Sequence, residues 1–356
     1  MNELNKNHVD NCRFCWMCRH ICPIGNATGL ERNTARARAL GLSLVNRGAY
    51  GIEEVIDNVY ECACCGACTK ECVTGWDPVM FLKAARLDAA LDGKLPEYIN
   101  VLVDKTLETG NAYGMTAPAK TLNDAFAAHQ KKTDTLFFLG VDARYLAPDA
   151  AKTAIALMEK IGDFTLLENE LPSGQQLEYL ISMTNETKEQ FTACAEQLKD
   201  YQKIVVYDPQ DAKVFLHDYK EQGIALPEVV TFTAFLAEKI KTGKKYMADA
   251  AYQDPFQLAR DLKETEEARH VIGLFADQKE MLMHGKDTMW AGNLLMAQWM
   301  PDVMVRVAED RIQNARGVKA TAIVTASVSE YEALKKVAQN DVKILSIEEL
   351  VLGGLN

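Results

Sequence analysis

Apolar positions recur along this chain with two different periods. In the first 95 residues they fall at helical spacing. Leu40 and Leu44 follow a polar Asn33-Thr34 pair, and Ile52, Val55, Ile56 and Val59 form a second stripe. The first set predicts a helix capped by Asn33 or Thr34, running to about Arg47, with Gly48 just past its end. The second set predicts another helix, since apolar residues at i, i+3, i+4 and i+7 share one face. A third opens at Asp77-Pro78, with proline in its usual first-turn place, and ends near Gly93.

Past a connecting segment at 96–130 the pattern changes to short apolar runs alternating with helix-length amphipathic stretches. Strands are expected at 136–139, 164–167 and 204–207, and helices at 148–161, 186–198, 210–222 and 232–242. A second series follows: a strand at 271–275, helices near 290–299 and 303–315, a strand at 320–325, a helix at 328–338 and a strand at 342–345. Such alternation implies parallel sheets covered by helices. Residues 205–216 lay over 323–334 without a gap, and Ser173-Gly174 precedes the first copy as His284-Gly285 precedes the second. The expected class is α plus α/β: a helical domain at 1–95, a connecting helical segment at 96–130, and two α/β repeats at 131–243 and 244–356.

No apolar run approaches the eighteen or so residues of a membrane span. The segment Met1 to Asp10 is polar, without the apolar core of a signal peptide. A soluble, cytoplasmic protein is expected. The formal charge of −11 argues against nucleic acid as a general partner. That excess lies wholly beyond residue 95, because residues 1–95 hold 11 basic and 11 acidic side chains. Within them, residues 11–48 carry six arginines against Glu31 alone, while residues 49–80 carry Lys70 against six acids.

Nine of the ten cysteines fall between Cys12 and Cys72. In a reducing compartment such density points to metal rather than disulfides. The first run, Cys12-Arg-Phe-Cys15-Trp-Met-Cys18-Arg-His-Ile-Cys22-Pro23, has the C-x2-C-x2-C-x3-C-P spacing of bacterial ferredoxins. Three thiolates two residues apart wrap one iron–sulfur cube, and the fourth turns toward a neighbouring cube. A second run, Cys62, Cys65, Cys68 and Cys72, repeats the 2-2-3 spacing. Crossing the fourth ligands gives two [4Fe-4S] clusters: cluster 1 on Cys12, Cys15, Cys18 and Cys72, cluster 2 on Cys62, Cys65, Cys68 and Cys22. Paired zinc sites are the alternative, disfavoured because crossed runs are not zinc-finger spacing.

Val73 stands where proline follows the first run, and Cys64 is a fifth thiol where the first run has Phe14. Cys64 is either a free cysteine packed beside the cluster or a replacement ligand or redox sensor. Arg13, Arg19, Arg32, Arg36 and Arg38 serve to stabilise reduced clusters, to dock an acidic partner, or simply to pair with Glu53, Glu54 and Asp57. Cys194, in a helical pattern, is expected in the core.

Two ferredoxin runs with a long helical insert, followed by a duplicated α/β region, resemble the iron–sulfur subunits of glycolate oxidase, lactate-utilisation and anaerobic glycerol-3-phosphate dehydrogenase systems. Heterodisulfide reductase subunits are similar too. The resemblance implies electron transfer beside an FAD-linked dehydrogenase of a 2-hydroxy acid or similar acid, with an electron-transferring flavoprotein or another carrier at the far end. In that family each α/β repeat carries a Cys-Cys-Gly element and further cysteines. Here Leu171-Pro172-Ser173-Gly174 and Met283-His284-Gly285 stand in place of the former, and Asp208-Pro209-Gln210 and Ala326-Ser327-Val328 in place of the latter. The α/β region is therefore expected to be a CCG-like domain lacking its cysteines. An oxidoreductase with its own substrate or quinone site near His284, Lys286, Asp287, Arg269 and His270 is the alternative function. The Met-rich stretch 281–304, with Trp290 and Trp299, is expected to be core, or a partner surface if exposed.

Overall fold

Helices dominate residues 9–130 of this computed structural model, which describes residues 9–355. The polar N-terminal segment therefore lies, up to residue 8, outside the described residues. Thr34 caps the helix Ala35–Asn46, its hydroxyl accepting from the Ala37 N–H (3.4 Å), and Gly48 follows at φ 73°. Asp77 caps Pro78–Leu91 by accepting from the N–H groups of Val79 and Met80, and Gly93 at φ 64° ends it. The stripe from Ile52 to Val59 does face the core, but on a broken element. A 3-10 turn, Ile52–Glu54, and a short helix, Ile56–Tyr60, are separated by Val55 at φ −124°. The helix Glu97–Thr109 lies in the connecting segment.

Among the described residues, seven strands then form two parallel sheets. The first holds β1 (Thr135–Phe138), β2 (Lys203–Val206) and β3 (Glu228–Thr231) in that order. A bridge between Leu136 and Thr165 adds a fourth position beside β1. The second holds β4 (Met247–Gln253), β5 (Ala276–Lys279), β6 (Ala322–Thr325) and β7 (Lys343–Ser346), in the order β5-β4-β6-β7. Counting the bridge, both sheets follow the order 2-1-3-4. In each, the third strand leads two residues later to a helix cap, Asp208 or Ser327. These caps displace the gap-free overlay of 205–216 on 323–334 by one residue. Asp211 then lies opposite Glu330, and both are buried.

Several expectations need correction. The apolar run 271–275 is the end of a helix, Glu267–Phe275, with Val271, Ile272 and Phe275 buried on one face. The edge strand β5 begins only at Ala276. The central strand β4, whose sequence MADAAYQ lacks an apolar alternation, and β3 were not anticipated. No helix spans 290–299, which holds only a 3-10 turn, Met296–Gln298. Residues 210–222 form a helix interrupted by a π-turn, Val214–Asp218. Residues 164–167 make a bridge rather than a ladder.

One apolar cluster runs through both sheets, from Phe137 and Val205 to Ile323 and Leu345, so the two halves share a core. Trp290, Met296 and Met304 are buried against Ile21, Ile24, Ala63 and Ala67, which makes the Met-rich stretch the seam between the cysteine region and the second sheet. No helix among the described residues is long and apolar enough to cross a membrane.

Candidate metal centre

Both cysteine runs fold into the same turn. In the first, the Phe14 N–H donates to Cys12 Sγ (3.4 Å) and Phe14 sits at φ 49°. In the second, the Cys64 N–H donates to Cys62 Sγ (3.4 Å) and Cys64 sits at φ 52°. A left-handed backbone at a non-glycine residue is costly and persists where the surroundings impose it. Its recurrence at matched positions marks two copies of one loop conformation. The runs then end differently. Cys22 caps the helix Pro23–Thr28 and accepts from the Gly25 N–H (3.4 Å), with Pro23 buried at the first position. Cys72 leads into a turn, its sulfur 3.3 Å from the Thr74 hydroxyl, and Val73 is 71% exposed. Replacing proline by valine thus goes with the loss of a following helix.

The thiols interact across the runs. Cys12 lies in the electrostatic neighbourhood of Cys72 and Cys15. Cys22 neighbours Cys62, and Cys65 neighbours both Cys22 and Cys62. Cys68 neighbours Cys62, Cys65, Cys22 and Cys18. Burial pushes Cys18 and Cys65 up to about 11 and raises Cys12, Cys22 and Cys68 as well. Cys62 is instead drawn down to about 5, first by a hydrogen bond from the Cys64 thiol and then, against burial, by Arg38 and Arg86. Apart from Cys62, the buried thiols resist ionisation, so a cation must displace their protons. The donor set of clustered thiols suits a polynuclear core.

Three cations, two of them buried, surround the inner group of thiols. Arg38 donates to the carbonyls of Asn58 (2.9 Å), Asn33 (2.9 Å) and Glu61 (2.6 Å), close to Cys22 and Cys62. Arg86, wholly buried, reaches the Cys62 carbonyl (2.9 Å) and lies between the rings of Tyr60 and Tyr179. Arg260, from the π-turn Gln257–Asp261 of the second α/β half, donates to the Cys65 carbonyl (2.7 Å). Arg86 and Arg260 were not singled out in the sequence. The only signal for Arg86 was an arginine on the apolar face shared by Leu82, Ala85 and Ala89; for Arg260 there was none.

Of the five arginines near the first run, Arg36 holds the Phe14 carbonyl (2.7 Å) and covers the Trp16 ring. Arg19 and Arg32 are exposed and pair with Glu31 and Glu61, not with Glu53, Glu54 or Asp57. Arg13 holds the Asp10 carbonyl.

The two groups of thiols are unequally covered. Cys62, Cys64 and Cys65 are buried, while Cys15 is exposed beside Trp16, itself 56% exposed.

The α/β candidates are engaged elsewhere. Arg269 clasps buried Asp254 through both terminal nitrogens and also binds Glu280. His284 Nδ1 faces the Met281 carbonyl, the Gly285 N–H donates to Asp254, and Asp287 pairs with Lys70. Ser173 donates to Asp211 where Cys-Cys-Gly would fall. Burial and Asp142 push Asp208 up to about 7. Cys194 is buried in the helix Asn185–Leu198. His217, Asp218 and Glu221 come together, but the imidazole nitrogens face the two carboxylates separately and Lys213 already pairs with Asp218.

Residues 8–76, about a fifth of the chain, match a family described as a 4Fe-4S dicluster domain. No curated protein matches the chain. The dicluster match and the clustered cysteines together support an iron–sulfur protein with its metal chemistry at the N-terminal end.

Proposed function

We propose that the chain is an electron-transfer subunit relaying single electrons through two [4Fe-4S] clusters. Cluster 1 is held by Cys12, Cys15, Cys18 and Cys72, and cluster 2 by Cys62, Cys65, Cys68 and Cys22. The observation that supports this reading is the electrostatic proximity of thiols from opposite runs, Cys12 to Cys72 and Cys22 to Cys62. Bound there, the clusters supply one-electron steps that divide the two-electron chemistry of a flavin. The protein residues set the conditions. Arg38, Arg86 and Arg260 offset negative charge at the buried site, backbone N–H groups donate to the sulfurs, and Cys64 donates to Cys62 without being a ligand. The open face at Cys15 and Trp16 lets a partner approach cluster 1.

The partner of this reading is an FAD-linked dehydrogenase of a 2-hydroxy acid or a similar organic acid, with an electron-transferring flavoprotein or another carrier at the other end, in the cytoplasm. The α/β region is then a degenerate, duplicated CCG-like scaffold that covers cluster 2. Anaerobic co-purification from the native cell tests this. A flavoprotein should accompany the chain, and its substrate should bleach the visible absorbance of the clusters. Turnover of an organic acid by the isolated chain with an artificial acceptor would contradict it.

A further inference from the structure

Of the residues assigned to cluster 2, Cys62 and Cys65 are buried and Cys22 and Cys68 partly buried, so electrons that reach it through cluster 1 need a second way out. A line of three aromatic rings leads from one of its ligand residues to the surface. The Tyr179 hydroxyl donates to the Cys62 carbonyl (2.7 Å), which joins the ring to the sulfur through the cysteine's own covalent bonds. The centroid of Trp299 lies 6.2 Å from that of Tyr179, and the centroid of Tyr98 lies 6.4 Å from that of Trp299, stacked at 29°. Both spacings are those of rings in contact.

The line is held from three sides. The Trp299 indole N–H donates to the Tyr60 carbonyl (3.2 Å), and Arg86 is fixed over Tyr179. The Tyr98 hydroxyl donates to Asp57 (3.2 Å). Tyr98, at 37% exposure, and Trp299 line an open groove of about 650 Å³ together with Arg32, Met300, Val303 and the carboxylates Asp57, Glu61 and Asp302. That volume is in the range of cofactor sites. The three rings come from three separate parts of the chain, and nothing in helix packing requires them to form a line.

We infer that Tyr179, Trp299 and Tyr98 form a second electron port, joining cluster 2 to a flavin ring that a partner protein places in this groove. The inference rests on the relay proposed above and specifies one of its ends. One electron passes between the flavin and cluster 2, one gaining what the other loses, and no bond or proton need move. The potentials available to such clusters lie far below those needed to oxidise an indole, so the rings serve as a bridge of π orbitals and are not themselves oxidised. Their stacked faces also provide a floor for a planar ring.

The test attaches a flavin maleimide to the holoprotein at Gln298→Cys, on the groove rim, and follows flash-induced electron injection into the clusters by absorbance. Injection should be fast in this parent and at least several-fold slower in Trp299→Leu. Trp299→Phe should recover most of the rate, and the electron paramagnetic resonance (EPR) signals and midpoint potentials of the clusters should be unchanged in both. If Trp299→Leu fails to fold, Tyr98→Leu at the exposed end breaks the same line. Equal injection rates in the leucine variants and the parent would overturn the port while leaving the relay intact. A protein without two reducible clusters would overturn the relay itself.

Discussion

Replacing Arg38 by glutamine tests whether buried charge sets the potential of cluster 2. Arg38 Nη1 and Cys22 Sγ both approach the Asn33 carbonyl oxygen, at 2.9 and 3.1 Å, so they are at most about 6 Å apart. Taking roughly 8 Å to the cluster centre and an effective dielectric of about 20, one unit charge is worth about 2 kcal/mol. For a one-electron couple, with 59 mV per tenfold, that corresponds to about 90 mV. Removing the positive charge disfavours the more negative reduced state, so the midpoint should fall by this order in Arg38→Gln. Arg38→Lys, which keeps the charge, should hold most of it. The assay is an anaerobic redox titration followed by EPR, with the two clusters resolved. Both variants should also lose stability, since three buried carbonyls lose donors at about 1–3 kcal/mol each. A cluster 2 midpoint that stays put in Arg38→Gln, or a cluster 1 midpoint that falls as far, would refute the reasoning.

Three other substitutions have defined outcomes. Cys64→Ala should retain the full iron content while changing the potential of one cluster, whereas Cys62→Ala should lose about four irons; loss of iron from Cys64→Ala would make Cys64 a ligand. Arg260→Met, at the contact between the second α/β half and the Cys65 carbonyl, should speed loss of cluster 2 to a chelator and leave cluster 1 as it was, and equal rates for both clusters would count against it. Burial pushes the Glu330 carboxyl up to about 8, so between roughly pH 4.5 and 8 the folded chain holds a proton that the unfolded chain releases. Stability should therefore fall as pH rises through that window, by up to about 1.4 kcal/mol per pH unit for this group. Glu330→Gln should flatten the slope in urea titrations, and parallel slopes for variant and parent would dismiss the assignment.

The cluster region was the most legible part of the chain because its constraints are local. Eight cysteines at fixed spacing, Thr34 and Asp77 as caps, and Gly48 and Gly93 as stops all act within a few residues of themselves. The α/β region was legible where strands are β-branched, as at Ile204 to Val206, and illegible where they are not. In β4 small and polar residues occupy a central strand whose hydrogen bonds come from its neighbours β5 and β6, a pairing that no local apolar pattern announces. The run 271–275 shows the converse failure: five residues of apolar sequence suit a strand or one buried helix face equally, and the capless start of Glu267–Phe275 gave no sign of which. Arg86, Arg260 and the aromatic line from Tyr179 to Tyr98 depend on contacts between residues up to about 200 positions apart, which no local pattern records.

The account rests on two iron–sulfur cores shared between the runs, and metal and acid-labile sulfide analysis of anaerobically prepared protein reaches that claim most directly. About eight irons and eight sulfides per chain are expected, falling by roughly half when Cys22 is replaced, with the loss in the cluster held by the second run. Four irons in the parent, zinc in place of iron, or loss of the first run's own cluster in the Cys22 variant would contradict it.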